Sequence, residues 1–131
     1  MQEAEIELDE GLVLDGNFTA ESGVRAIETL ISRGRQFSAV FAANDTTAFG
    51  ARLALYRREI RVPEDVSIVG FDDQAEAAFM APPLTTIRQP ARRMGVQASR
   101  SVLALIEGEP FDTQSWNGEL QQRESVSRLG S

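Results

Sequence analysis

Apolar positions along this chain alternate between a short period and a helical one. Residues 12–15 (LVLD) read as a short strand, turned by Gly16 and Asn17. From 19 to 34 the spacing becomes helical, with Val24, Ile27, Leu30 and Ile31 on one face. Residues 38–43 (SAVFAA) form a continuous apolar run, which predicts a strand buried on both faces. Asp45 is expected to cap a helix reaching Arg58, with Ala48, Leu53, Leu55 and Tyr56 among its apolar positions, and Pro63 stops that pattern. Residues 66–71 follow as a buried strand, 74–79 as a short helix and 84–87 as a fourth strand. Pro90 opens a helix to about Ile106, striped by Met94, Ala98, Val102, Leu105 and Ile106 and closed by Gly108 and Pro110. Residues 116–122 read as a last strand, and the polar tail from Glu124 is expected to be partly disordered.

Strands alternating with helices of this length predict an α/β fold with a doubly wound, mostly parallel sheet. Such sheets bind ligands beyond the carboxyl ends of their strands. The residues just past those ends are Gly16, Asn17 and Phe18; Asn44 and Asp45; Asp72 and Asp73; Arg88 and Gln89. A carboxylate, an amide and an aromatic face on one rim suit a small polyhydroxylated ligand, because the carboxylate accepts hydroxyl hydrogens and the ring covers C–H surface. Neither GxGxxG nor GxxxxGK[ST] occurs, so no phosphate loop is expected there. Of the paired acids, Asp73 has the reading of a helix cap and Asp72 that of a ligand contact.

Composition narrows the chemistry. The 131 residues include no Cys, His or Lys, and all 13 basic residues are Arg. That removes thiol chemistry, Cys/His zinc sites, the Ser-His-Asp triad and Schiff-base lysines. Enzymes can run on carboxylates alone, so the menu is short but not empty; the expected reading is non-enzymatic, with no metal or cofactor. A net charge of −7 argues against the chain gripping nucleic acid by itself. No apolar run approaches membrane-spanning length, and the acidic start lacks the features of an export signal, so the expected location is cytoplasmic.

Several stretches resemble the LacI/GalR family of bacterial transcription regulators: DGNFTAESG (15–23), FAANDTTAFGA (41–51), VPEDVSIVGFDD (62–73), PPLTTIRQP (82–90), the MG at 94–95 and LQQRES (120–125). The resemblance implies part of a periplasmic-binding-protein-like effector domain, covering about residues 11–128. It implies effector contacts at Phe18, Asn44, Asp72 and Gln89, with Gln89 at the crossover between two lobes. It places a dimer surface around Phe49, Phe79 and Met80. The small-molecule effector it implies is a sugar or glycoside in preference to a purine or nucleoside. Operator DNA is a partner only through an N-terminal helix-turn-helix outside this sequence. Residues 1–89 would belong to the second lobe, 90–120 would cross to the first, and 121–131 would form the tail.

Two departures from the family pattern carry expectations. Glu59 stands where the family usually has a helix-ending Gly, so the helix before it is expected to end differently. The strand that in the family lies between residues 12–15 and 38–43 is missing, so free sheet edges and bare apolar faces are expected, and with them self-association. Two other readings remain open: a periplasmic sugar-binding protein fragment, and a receiver-like domain holding Mg²⁺ between Asp72 and Asp73. The second suffers from the lack of any lysine.

Overall fold

The computed structural model describes residues 9–111 and 114–128. Its helices are α1 (Ala20–Ser32), α2 (Asp45–Arg57) and α3 (Ala91–Glu107), and its strands are β1 (Ala39–Phe41), β2 (Ser67–Val69), β3 (Thr86–Arg88) and β4 (Glu119–Gln121). Short 3-10 turns occupy Glu10–Leu12 and Ala75–Phe79. β1 and β2 pair in parallel, and β3 and β4 antiparallel. Parallel bridges from Val69 to Thr85 and from Asp72 to Arg88 join the two ladders. The result is an α/β fold whose parallel strand ends line up at residues 42–45, 70–73 and 88–90.

α1 begins where Thr19 Oγ1 accepts the Ser22 N–H, and its apolar face buries Ile27 and Leu30, with Val24 and Ile31 packed against the same core. α2 meets that face with small residues, Ala48, Ala51 and Ala54, and with Leu55. The two helices approach so closely that a Cβ on Gly50 would run into the Ala20 backbone, and one on Gly23 into that of Thr47. Leu53 and Tyr56, read from the sequence as part of the apolar face, lie on the opposite side and stay exposed.

Expectations about local structure need correction at several points. Residues 12–15 form no ladder: Leu12 closes a 3-10 turn, and no partner strand adjoins them among the described residues. β1 is not covered on both faces, since Ala39 and Phe41 are exposed, Phe41 at 74%. The stripe read on α3 lies uncovered: none of that helix is buried and Ile106 is 76% exposed. Of the tail expected to be partly disordered, residues 129–131 lie outside the described residues, while 124–128 are held to the body. Ser125 is buried, with its hydroxyl donating to Ile68 O and accepting from Thr85 N, and its carbonyl accepting from Ile68 N.

α2 ends through a left-handed Glu59 at φ 59°, with Glu59 N donating to Tyr56 O and Ile60 N to Leu55 O. The helix therefore ends in the way a glycine would have allowed, with Glu59 bearing the strain instead. At the end of α3, Gly108 adopts the same conformation without a Cβ to strain.

Candidate functional site

The β1–α2 junction is set by two neighbours with different duties. Asn44 caps α2: its Oδ1 accepts the Thr47 N–H at 2.8 Å, and its Nδ2 donates to Phe18 O at 3.1 Å. Asp45, expected to be the cap, is fully buried instead. Its carboxyl accepts the Thr86 hydroxyl at 2.5 Å and the Gln74 N–H at 2.8 Å. The buried position is available to Asp45 because the cap's extended backbone turns the next side chain inward, onto β3.

The β2 end carries the paired acids, both with positive φ: 114° at Asp72 and 57° at Asp73. Asp72 N donates to Ile87 O, and Asp72 Oδ1 accepts from Gln89 Nε2 at 2.7 Å. Asp73 does not cap the following 3-10 turn, whose start has no side-chain cap at all. Its side chain, 6% exposed, lies between Arg88 and Arg123, with N–O distances of 2.6 and 2.5 Å. Burial alone would raise the Asp73 carboxyl, but the hydrogen bonds from Arg123 and Arg88 outweigh it and hold it below the usual carboxylate range.

Four residues expected at the rim therefore form two contacts, Phe18 with Asn44 and Asp72 with Gln89. A backbone hydrogen bond from Asp45 N to Phe71 O sets the two pairs on adjacent strand ends. The Phe18 ring is 65% exposed on a left-handed backbone, offering a free aromatic face. Asp72 and Gln89 are half-buried. Asp72 spends one carboxylate oxygen on Gln89, leaving acceptor capacity for a ligand hydroxyl, and Gln89 keeps a carbonyl oxygen and a second N–H. The rim is an open shelf: the apolar groove beside it, about 250 Å³, is lined by Leu12, Leu14, Phe18, Ile27, Val40 and Phe41 and lies between residues 12–15 and β1. No cluster of three or more metal-ligating side chains occurs among the described residues.

Sequence reasoning missed Arg123 and Thr86. Thr86 sat in the quoted PPLTT stretch and Arg123 in LQQRES, but their partners are 41 and 50 residues away. No local pattern encodes such pairs.

The fold is shared by known proteins. The profile of the periplasmic binding protein-like domain matches residues 1–126, and the chain belongs to that family, in the form found in LacI-type regulators. It is 35% identical over 131 residues to the HTH-type transcriptional repressor PurR of Vibrio atlanticus, covering 98% of this chain and 39% of that one. It is 37% identical over 122 residues to the HTH-type transcriptional regulator AscG of Escherichia coli, covering 92% of this chain and 36% of that one. The chain thus spans well under half the length of these relatives. Among solved structures, a CelR–cellobiose complex superimposes with a TM-score of 0.88 at 39% identity, over 95% of this chain and 38% of that one. A LacI-family sugar-binding regulator from Escherichia coli, complexed with phosphate, gives 0.85 at 36%, over 95% and 45%.

Proposed function

We propose that this chain is the effector-sensing and dimerisation part of a LacI-type transcriptional repressor. The observation that carries this reading is the Asp72–Gln89 pair at a strand-end rim, next to the exposed Phe18 ring. A neutral sugar or glycoside is the favoured effector: Asp72 accepts hydroxyl hydrogens, Gln89 both donates and accepts, and Phe18 covers a sugar's C–H face. Both named relatives are HTH-type regulators, and one similar structure holds cellobiose. Operator DNA is contacted by a helix-turn-helix outside this sequence, consistent with the chain's net charge of −7. No chemistry by the chain itself is needed for such a sensor. No helix among the described residues is long and apolar enough to cross a membrane.

The division of the chain follows the same reading. Residues 1–89 form the body of one lobe. Residues 90–120 leave it, as the wholly unburied α3 supports, and the chain then returns to the body. Dimerisation through Phe49, Phe79 and Met80 is supported by the 88% exposure of Phe79 and by a shallow groove in which Phe49, Leu53, Tyr56 and Met80 lie together. Titrating cellobiose and related glycosides against a protein carrying this domain, and against its Asp72→Ala variant, tests the site. Loss of affinity in the variant is expected; equal affinities would remove Asp72 from the binding role.

A further inference from the structure

Two consecutive non-glycine residues in left-handed backbone form a turn that persists only where its surroundings hold it. The Asp72–Asp73 turn is held at two places. Asp72 is paired through its backbone to Ile87 and through its side chain to Gln89. Asp73 is held more firmly: two guanidinium groups grip its two oxygens, one from before α3 in the chain and one from after it. Arg88 is the last residue of β3, one step before Gln89 and two before the Pro90 start of α3. Arg123 lies two residues past the end of β4, where the chain returns from α3. Arg123 is itself fixed, donating from Nη1 to Leu84 O at 2.8 Å and from its backbone N–H to Thr85 Oγ1 at 2.9 Å. One carboxylate therefore ties together the strand that ends at the turn, the segment leaving for α3 and the segment coming back.

The side chain that Asp73 holds through Arg88 is the neighbour of the one that Asp72 engages. We propose that Asp73 is a positioning residue for the effector-binding pair: its double ion pair fixes the left-handed turn and the Arg88–Gln89 step together, so that Asp72 and Gln89 face each other. This deepens the reading of Asp72 as an effector contact and rests on it for its functional meaning. It gives adjacent acids separate duties, one facing the ligand and one holding the crossover in register with it. An effector that pulls on Asp72 and Gln89 then acts on a turn and a crossover sharing a single anchor.

The test follows the Gln89 side-chain amide by nuclear magnetic resonance in the ligand-free chain. In Asp73→Asn, which keeps the volume but loses the charge and one acceptor, Gln89 side-chain protons should exchange with solvent about tenfold faster, while backbone amides in α1 and α2 stay within about twofold. Arg88→Gln removes only the more exposed arm of the clamp, 52% exposed against 19% for Arg123, and should give a smaller acceleration of about threefold. Gln89 exchanging at the wild-type rate in both variants would overturn the proposal. So would α1 and α2 amides accelerating by the same factor as Gln89, which marks a merely global loss of stability. If Asp73→Asn does not fold, Arg88→Gln decides alone. Because no ligand is present, the result stands apart from the effector reading, which fails separately if Asp72→Ala leaves glycoside affinity unchanged.

Discussion

Asp45 accepts the hydroxyl of Thr86 at 2.5 Å in a place where neither residue touches water. The same carboxyl takes the Gln74 N–H, and Gly70 sits so close that a Cβ there would collide with it. The start of α2, the loop after β2 and the start of β3 therefore meet on one side chain, just beneath the rim that carries Asn44 and Asp72.

Removing that junction should be costly. Asp45→Ala strands a half-buried N–H and a buried hydroxyl, and the expected loss is about 2–3 kcal/mol in urea unfolding. Thr86→Val removes only one hydrogen bond at nearly constant volume and should lose about 1–2 kcal/mol. The double variant should lose less than the sum of the two; strict additivity would show that the contact contributes nothing.

The α1–α2 contact gives a sharper steric prediction. A methyl at position 50 meets the backbone of Ala20, which cannot swing aside as a side chain can. Gly50→Ala should therefore destabilise by about 1–3 kcal/mol despite alanine's better helix propensity. Circular dichroism during thermal unfolding reads this directly, and a stabilised variant would contradict the close packing.

Glu59 offers the opposite case. A left-handed side chain costs about 1–2 kcal/mol, and a glycine gives back about 0.4–1 kcal/mol through its freer unfolded chain. Glu59→Gly should thus stabilise by about 0.5–1 kcal/mol. Glu59→Ala, which keeps a Cβ, should not. A Gly midpoint below that of Ala, the entropy cost appearing alone, would mean that the backbone strain is absent.

Acid stability should show the Arg61–Asp65 pair. Hydrogen bonds from the Arg61 side chain and backbone lower the Asp65 carboxyl from 3.8 to about 2. A carboxyl depressed in the folded state contributes stability above its unfolded value, and that contribution fades as pH falls through the folded one. Asp65 is thus expected to lose its contribution between about pH 4 and pH 2, and Asp73, lowered by Arg123 and Arg88 against its burial, to lose its own below the ordinary carboxylate range. Carboxyl carbon shifts should place the Asp65 midpoint near 2, moving up in Arg61→Ala, where only the backbone hydrogen bond survives. An unchanged midpoint would discount the side-chain pair.

The helices were legible because each repeats its signal over several turns: α1 has Thr19 at its start and Ile27 and Leu30 on its face, and α3 has Gly108 at its end. Strands of three residues carry no such redundancy, and LVLD at 12–15 is apolar enough for a strand yet has no neighbour to bond among the described residues. The rim residues were legible too, since strand ends are fixed by topology once the alternation is read. Which acid does what was not. Asn44 and Asp45, like Asp72 and Asp73, differ by one position, and only the placement of Thr86 and Arg123, far along the chain, decides which side chain turns inward. The α3 stripe makes a related point: periodicity reveals an apolar face without saying whether anything within the chain covers it.

The unburied α3 also has a mechanical side. Its 17 residues make a rod about 25 Å long, rooted at Pro90 beside the Asp73 clamp. A tilt of about 10° at the root carries the far tip roughly 4 Å, about the spacing between neighbouring strands. Displacements too small to break a single ion pair at the rim are thereby magnified into motion large enough to repack whatever surface rests on that lever.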